Sequence, residues 1–178
     1  MTYRQDVREL ALDQYGYITT AEAEEIDVPA VELRKLAARG ALTHVGRGLY
    51  RVADAPATNR DQLAEAVRLM GRDAYLTHDA VLALHQLALV NPRRIRVATP
   101  HRVRAVLPGF IQLVHRTDLP PAALTIYEGI PCTTVAQALL DCRGLVMTER
   151  LAEARRDALR QGLLTTGESR RLRAALAA

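Results

Sequence analysis

The sequence predicts an α+β protein in two parts, and three observations lead to that prediction. Residues 3–52 contain three stretches with apolar residues at helical spacing, followed by two short strand-like stretches around a glycine-containing turn. Strand-like and helix-like stretches are mixed in the remainder. Basic residues are concentrated in segments 33–52 and 93–116, neither of which contains an acidic residue. A chain of 178 residues is long enough for one large domain or two small ones.

The N-terminal part begins with three predicted helices. The first covers residues 3–15 and ends at Gly16. The second begins within YITTAEAEEI, where Thr19 and Glu22 have the spacing of a capping box. The third follows a turn, and Pro29 suits its first position because proline has no backbone N–H to lose there.

The third helix and the residues after it complete a recognisable motif. Leu33 and Leu36 share one face of this helix, and Gly40 is its predicted C-cap. The stretches LTHV and LYRV then flank Gly46-Arg47-Gly48 as a hairpin. Three helices and a hairpin in this order predict a winged helix-turn-helix over residues 1–52, with the third helix in a DNA major groove and the hairpin against the backbone or the minor groove. The predicted DNA-contacting residues here are Arg34, Lys35, Arg39, Arg47 and Arg51.

The stretch ADAPATNR, residues 53–60, predicts a linker because it is small, contains proline and lacks periodicity. Residues 61–178 then predict a small mixed α/β domain with a short sheet and C-terminal helices. A helix at 61–71 and a short strand AYL precede a helix in THDAVLALHQLALV, with Thr77 or Asp79 as its cap. The strands are RIRVAT, FIQLVHR, LTIYEG and IPCTT, followed by a helix through Cys142 and two more at about 149–162 and 166–177.

The acid-free segment 93–116 allows two interpretations. It binds nucleic acid or an acidic partner, or it is a solvated face whose arginines pair with acids elsewhere. Strand alternation would place Arg94 and Arg96 on one side of the sheet. Under the first interpretation, the second domain also contacts DNA, and its predicted contact residues are Arg93, Arg94, Arg96, Arg102 and Arg104.

The amino-acid composition gives little support for an enzymatic function. Ser169 is the single serine and lies near the C-terminus, and Lys35 is the single lysine, so neither a serine nucleophile nor a phosphate-binding loop is expected. A metal site at His78, His85 and Asp141 is the enzymatic alternative, but the usual zinc-enzyme spacing is four residues rather than seven. We therefore expect no catalytic residue, no metal and no cofactor.

Features that would place the chain outside the cytoplasm are also lacking. The N-terminus is polar, no apolar run approaches the ~18 residues of a membrane span, and the two cysteines, Cys132 and Cys142, read as ordinary buried thiols. The expectation is a cytoplasmic protein without a membrane partner.

Four stretches in order resemble one known family. They are YITTAEAEEIDVP, LRKLAARGALTHVGRGLYRV, YLTHDAVLALHQL and IPCTTVAQALLDC, and the resemblance covers roughly residues 3–145. They are similar to the AbiEi-type antitoxins of bacterial type IV toxin–antitoxin systems, and the helix-to-wing segment is the most specific part. The chain departs from the family pattern at Gln86, where glycine is common, and at Gln137, where arginine is common.

The resemblance implies a function. Such antitoxins bind inverted repeats in their own promoter through an N-terminal winged helix, repress it, and counteract a nucleotidyltransferase toxin through the C-terminal domain. It also implies a monomer, or a weakly self-associating protein, that binds DNA cooperatively. The expected partners are double-stranded operator DNA and such a toxin. The alternatives are a stand-alone winged-helix regulator without a toxin and, in another class, a metal-dependent nucleic-acid-processing enzyme.

Overall fold

The computed structural model describes residues 2–104 and 106–177 and has an α+β fold. The chain divides into two compact units, Met1–Gly71 and Arg72–Ala178. The sequence-based boundaries were 1–52, 53–60 and 61–178, so the structure groups the helix after the linker with the N-terminal unit. This helix joins that unit through side-chain contacts with residues of the preceding elements.

The N-terminal unit is a winged helix-turn-helix with a fourth helix. Its elements are α1 (Tyr3–Leu12), β1 (Tyr17–Thr19), α2 (Thr20–Glu25), α3 (Ala30–Ala38), β2 (Leu42–Gly46), β3 (Leu49–Val52) and α4 (Asp61–Met70). The strands form an antiparallel sheet in the order β1-β3-β2. Buried side chains from α1, α3 and the sheet, including Val7, Ile18, Leu33 and Tyr50, form one apolar core.

Local chemistry sets the ends of these helices. The Thr19 side chain accepts a hydrogen bond from the Glu22 N–H, and Glu22 accepts one from the Thr19 N–H, which confirms the predicted capping box of α2. Pro29 is the N-cap of α3 rather than its first residue. Gly16 and Gly40 follow α1 and α3 with φ of +81° and +75°, a region where glycine has no steric penalty.

Helix α4 is fastened to the winged helix by charged and polar side chains. The Arg68 guanidinium binds Glu22, the acidic residue of the α2 capping box, so one carboxylate serves two elements. The contacts are Tyr17 Oη to Glu65 Oε2 at 2.8 Å, Arg51 Nη2 to Asp61 Oδ2 at 2.7 Å, and Arg68 Nη1 to Glu22 Oε2 at 2.9 Å.

The C-terminal unit contains a five-stranded mixed sheet. Its elements are β4 (Tyr75–Leu76), α5 (Asp79–Leu84), β5 (Ile95–Thr99), β6 (Ile111–His115), β7 (Leu124–Tyr127), β8 (Ile130–Thr133), α6 (Val135–Asp141), α7 (Thr148–Arg160) and α8 (Thr166–Ala177). The strand order is β6-β5-β4-β8-β7. Strands β5 and β6 are parallel, as are β4 and β8, whereas β4–β5 and β7–β8 are antiparallel.

Helix α5 is shorter than predicted, and its cap differs. His78, rather than Thr77 or Asp79, is the N-cap, with φ of +55° and no side-chain cap bond. The helix ends at Leu84, and Gln86 has φ of +56°. Glycine adopts such a φ at less cost than glutamine. Thr134 is the N-cap of α6, and its side chain accepts a hydrogen bond from the Gln137 N–H at 3.3 Å.

Candidate nucleic-acid interface

The exposed face of α3 carries the basic residues predicted from the sequence. Leu33 and Leu36 are buried and fix the rotation of the helix about its axis. Four exposed side chains then share the opposite face at positions i, i+3, i+4 and i+7. They are Val31, Arg34, Lys35 and Ala38.

The two cations at the centre of this face differ in their surroundings. Lys35 Nζ lies 2.7 Å from Glu32 Oε1 one turn earlier, so its charge is partly neutralised. Arg34 is exposed and forms no ion pair with any residue that the structure describes. Arg39 is exposed at the C-cap of the helix. Arg34 therefore presents an exposed guanidinium in the middle of this face, and Arg39 presents another at the end of the helix.

The hairpin presents a further arginine on a fixed backbone. Arg47 is exposed between β2 and β3, and Gly48 follows it with φ of +67°. The Gly48 carbonyl accepts a hydrogen bond from the Thr20 N–H at 2.8 Å and one from the Thr20 hydroxyl at 3.3 Å. The start of α2 therefore holds the backbone of the wing tip that carries Arg47.

Arg51 occupies a different environment from Arg47. Its Nη2 lies 2.7 Å from Asp61 Oδ2, and its guanidinium carbon lies 5.6 Å from the centroid of the Tyr17 ring. The side chain is 23% exposed. A guanidinium held by a carboxylate and covered by an aromatic ring stabilises the fold and is poorly placed to meet phosphate.

In the C-terminal unit, the basic segment 93–116 separates into exposed and paired arginines. Arg93 and Arg94 are exposed before β5, and Arg102 and Arg104 are exposed in the connection from β5 to β6. Arg96 instead pairs with Asp79 of α5 and is 17% exposed. Strand β5 begins at Ile95, so Arg94 precedes it, and Arg96 within the strand pairs with an acid of α5.

A second ion pair in this unit joins β6 to α6. Arg116 Nη1 lies 2.6 Å from Asp141 Oδ2, and the side chains are 14% and 8% exposed. Gln137 Nε2 donates to Asp141 Oδ1 at 2.7 Å. The carboxylate raises the pKa of Arg116, and burial lowers the pKa of His78 beside this group. The Gln137 amide therefore donates to the same acid as Arg116.

The residues considered for a metal site make other contacts. Asp141 is bound by Arg116 and Gln137, and the His85 ring packs 4.1 Å from that of Tyr127. Within the described part of the chain, no group of three or more His, Cys, Asp or Glu side chains could hold a metal ion.

The two cysteines are free and buried, in agreement with the sequence-based interpretation. Burial raises the pKa of Cys132 to about 11 and that of Cys142 to about 12. A thiol with such a pKa is almost entirely protonated near neutrality and is a poor nucleophile.

These features define the class of protein. A winged helix-turn-helix with a basic exposed third helix and an arginine at its wing tip belongs to the DNA-binding transcription regulators. Residues 5–53, from α1 to the end of the wing, match the family model described as a transcriptional regulator, AbiEi antitoxin, so this segment of the chain is similar to that family. No curated protein matches the chain.

Proposed function

We propose that this protein is a sequence-specific DNA-binding antitoxin that represses its own operon and counteracts a nucleotidyltransferase toxin in the cytoplasm. The observation that carries the DNA-binding part is the exposed face of α3, with Arg34 at its centre, next to a wing whose Arg47 is exposed on a held backbone. Antitoxin activity rests on the family resemblance. We assign it to the C-terminal unit and propose a regulatory rather than catalytic role for the whole chain.

Arg34 would read bases, and Arg47 would contact the backbone or minor groove. An arginine placed in the major groove binds the O6 and N7 atoms of guanine through two hydrogen bonds. Lys35 would contribute once its ion pair with Glu32 opens, and Arg39 would neutralise a phosphate at the end of the helix. Inverted repeats would give two monomers neighbouring sites, so binding would be cooperative without a stable dimer.

Replacing Arg34 or Arg47 with alanine is expected to weaken binding to DNA from the protein's own promoter. The loss should be about 1–3 kcal/mol for a residue that reaches a base and less for one that touches only a phosphate. Thermal stability should stay close to wild type, because both side chains are exposed. Gel-shift titration at a fixed salt concentration measures the effect.

Arg156→Ala is the matched control, since Arg156 is an exposed arginine on α7 and the change in net charge is the same. Equal affinities of all three variants and the wild type would remove α3 and the wing from the interface. If the protein bound DNA without sequence preference, electrostatic attraction to the phosphates would be enough to explain the binding.

We also propose that the C-terminal unit contacts DNA through its exposed arginines. Replacing Arg93, Arg94, Arg102 and Arg104 with glutamine should reduce the steepness of log K against log salt by roughly two to three units, since each neutralised phosphate contributes about −0.9. Sequence preference should persist because α3 is unchanged. Arg96 is left intact because it pairs with Asp79.

The control for this variant removes four exposed arginines from the last two helices, Arg150, Arg156, Arg170 and Arg173. Its net charge equals that of the first variant. If both variants show the same salt dependence, the segment has no specific role in DNA binding, and binding of an acidic toxin surface becomes the better assignment for it.

The antitoxin part has a separate test. Co-expression with the product of a neighbouring nucleotidyltransferase gene should restore growth, and a chain lacking the C-terminal unit should fail to do so. Continued growth arrest in the presence of the full chain would favour a stand-alone regulator.

A further inference from the structure

The exposed face of α3 carries one apolar side chain of substantial size. Val31 is 44% exposed, and it lies in the first turn of the helix. Arg34 and Lys35 lie three and four residues later, so all three point to the same side. The valine is therefore part of the surface that would meet DNA, not part of the core.

Folding does not account for this valine. The core side of α3 is filled by Leu33 and Leu36, and Val28 just before the helix is completely buried. Valine is also a weaker helix former than alanine because its branched Cβ restricts χ1. An exposed valine here gains little from burial and costs some helix stability in the free protein.

Major-groove chemistry supplies an apolar partner for such a side chain. Thymine presents a C5 methyl group there, and small apolar side chains contact it. The basic residues beside Val31 favour DNA over an apolar protein surface as the occupant, since α3 has only Glu32 as an acid and Lys35 partly neutralises it. Contact with a thymine methyl would bury the valine without burying a charge.

The spacing to Arg34 makes the inference more specific. Three residues of an α-helix advance about 4.5 Å along its axis, and neighbouring base pairs are about 3.4 Å apart. Side chains separated by one turn therefore reach base pairs that are one or two positions apart.

We propose that Val31 is a specificity-determining residue that contacts the C5 methyl group of a thymine lying one or two base pairs from a guanine bound by Arg34. The inference rests on the proposed function, since it names part of the sequence that α3 reads. Arg34 supplies the hydrogen bonds to the guanine, and Val31 supplies the apolar contact with the thymine. Together, the two residues favour a site that has both bases over a site in which either base is replaced.

Uracil in place of thymine tests the methyl contact directly, because the two bases differ only in that group. A bound duplex is first selected from random sequences with the full chain, and each thymine is then replaced in turn by deoxyuridine. For the wild-type protein, one thymine in each half-site should stand out, with a loss of affinity of about three- to tenfold.

The same scan with Val31→Ala provides the decisive comparison. This variant should bind the thymine duplex less tightly than wild type and should no longer respond to deoxyuridine at that position. Val31→Thr retains one methyl group and should respond partially. Circular dichroism should show that Val31→Ala folds normally, because alanine favours the helix more strongly.

The outcomes separate this inference from the proposed function. If no sequence is enriched in the selection, the proposed function itself is wrong. If a sequence is enriched and no thymine responds to deoxyuridine, DNA binding stands and the valine contact is overturned. If a thymine responds equally in wild type and Val31→Ala, another residue contacts the methyl group, and the inference is also overturned.

Discussion

Replacing Gly16 with alanine is expected to destabilise the N-terminal unit by about 2–4 kcal/mol, combining a strained backbone with a steric overlap. Gly16 has φ of +81°, and a Cβ added there would lie 2.5 Å from the Cβ of Ala55. Its N–H donates to the Ala11 carbonyl at 2.8 Å, and its carbonyl accepts from the Val52 N–H at 2.8 Å. The backbone therefore cannot move away without losing bonds to α1 and β3.

Gly40→Ala separates the contribution of backbone strain from that of steric overlap. Gly40 has a similar φ of +75°, but nothing lies within 4 Å of an added Cβ. It should cost only the backbone strain, about 1–2 kcal/mol. Urea unfolding of the full chain, monitored by circular dichroism, measures both. Equal costs for the two variants would show that Ala55 gives way and that crowding at Gly16 is unimportant.

Replacing Asp141 with alanine is expected to destabilise the C-terminal unit by about 3 kcal/mol or more, since a largely buried arginine loses its buried charge partner. Arg116 and Gln137 both donate to this carboxylate, and Asp141 is 8% exposed. Arg116 retains Asp118, whose exposed side chain cannot replace the buried acceptor. The loss should appear as a lower urea midpoint for this unit.

Asp118→Ala is the matched control because it removes the other carboxylate that binds the same guanidinium. Asp118 is 68% exposed, so water can replace it, and little change in stability is expected. If Asp118→Ala proved as harmful as Asp141→Ala, the importance of burial for this ion pair would be contradicted.

Much of the N-terminal fold could be predicted because its signals are local. The Thr19–Glu22 capping box, the apolar face of α3 and the glycines of the wing each depend on residues within a few positions of one another. Strand β1 was missed because three residues between two helices carry too weak a pattern. It forms because Tyr17–Thr19 can pair with Leu49–Arg51 of β3, which lie far along the chain.

The boundary between the two units also depends on contacts between residues that are separated in the sequence. Residues 53–60 have the composition of a linker, and α4 has an ordinary helical pattern. Its attachment to the winged helix depends on Glu22, Glu65 and Asp61 meeting partners on other elements. The early end of α5 depends likewise on the backbone conformation after Leu84 rather than on a glycine or proline in its sequence.

The candidate site shows most clearly which features the sequence determined and which the tertiary structure determined. The sequence by itself determined the basic character of α3 and the wing, because helical spacing places Arg34 opposite Leu33 and Leu36, and two glycines flank Arg47. Only the tertiary structure distinguished exposed arginines from paired ones, in the contrasts of Arg47 with Arg51 and of Arg94 with Arg96. Each paired arginine meets a carboxylate on another element, Asp61 or Asp79. Because the residue type is the same in every case, the folded path of the chain alone decides which guanidinium groups remain available to DNA.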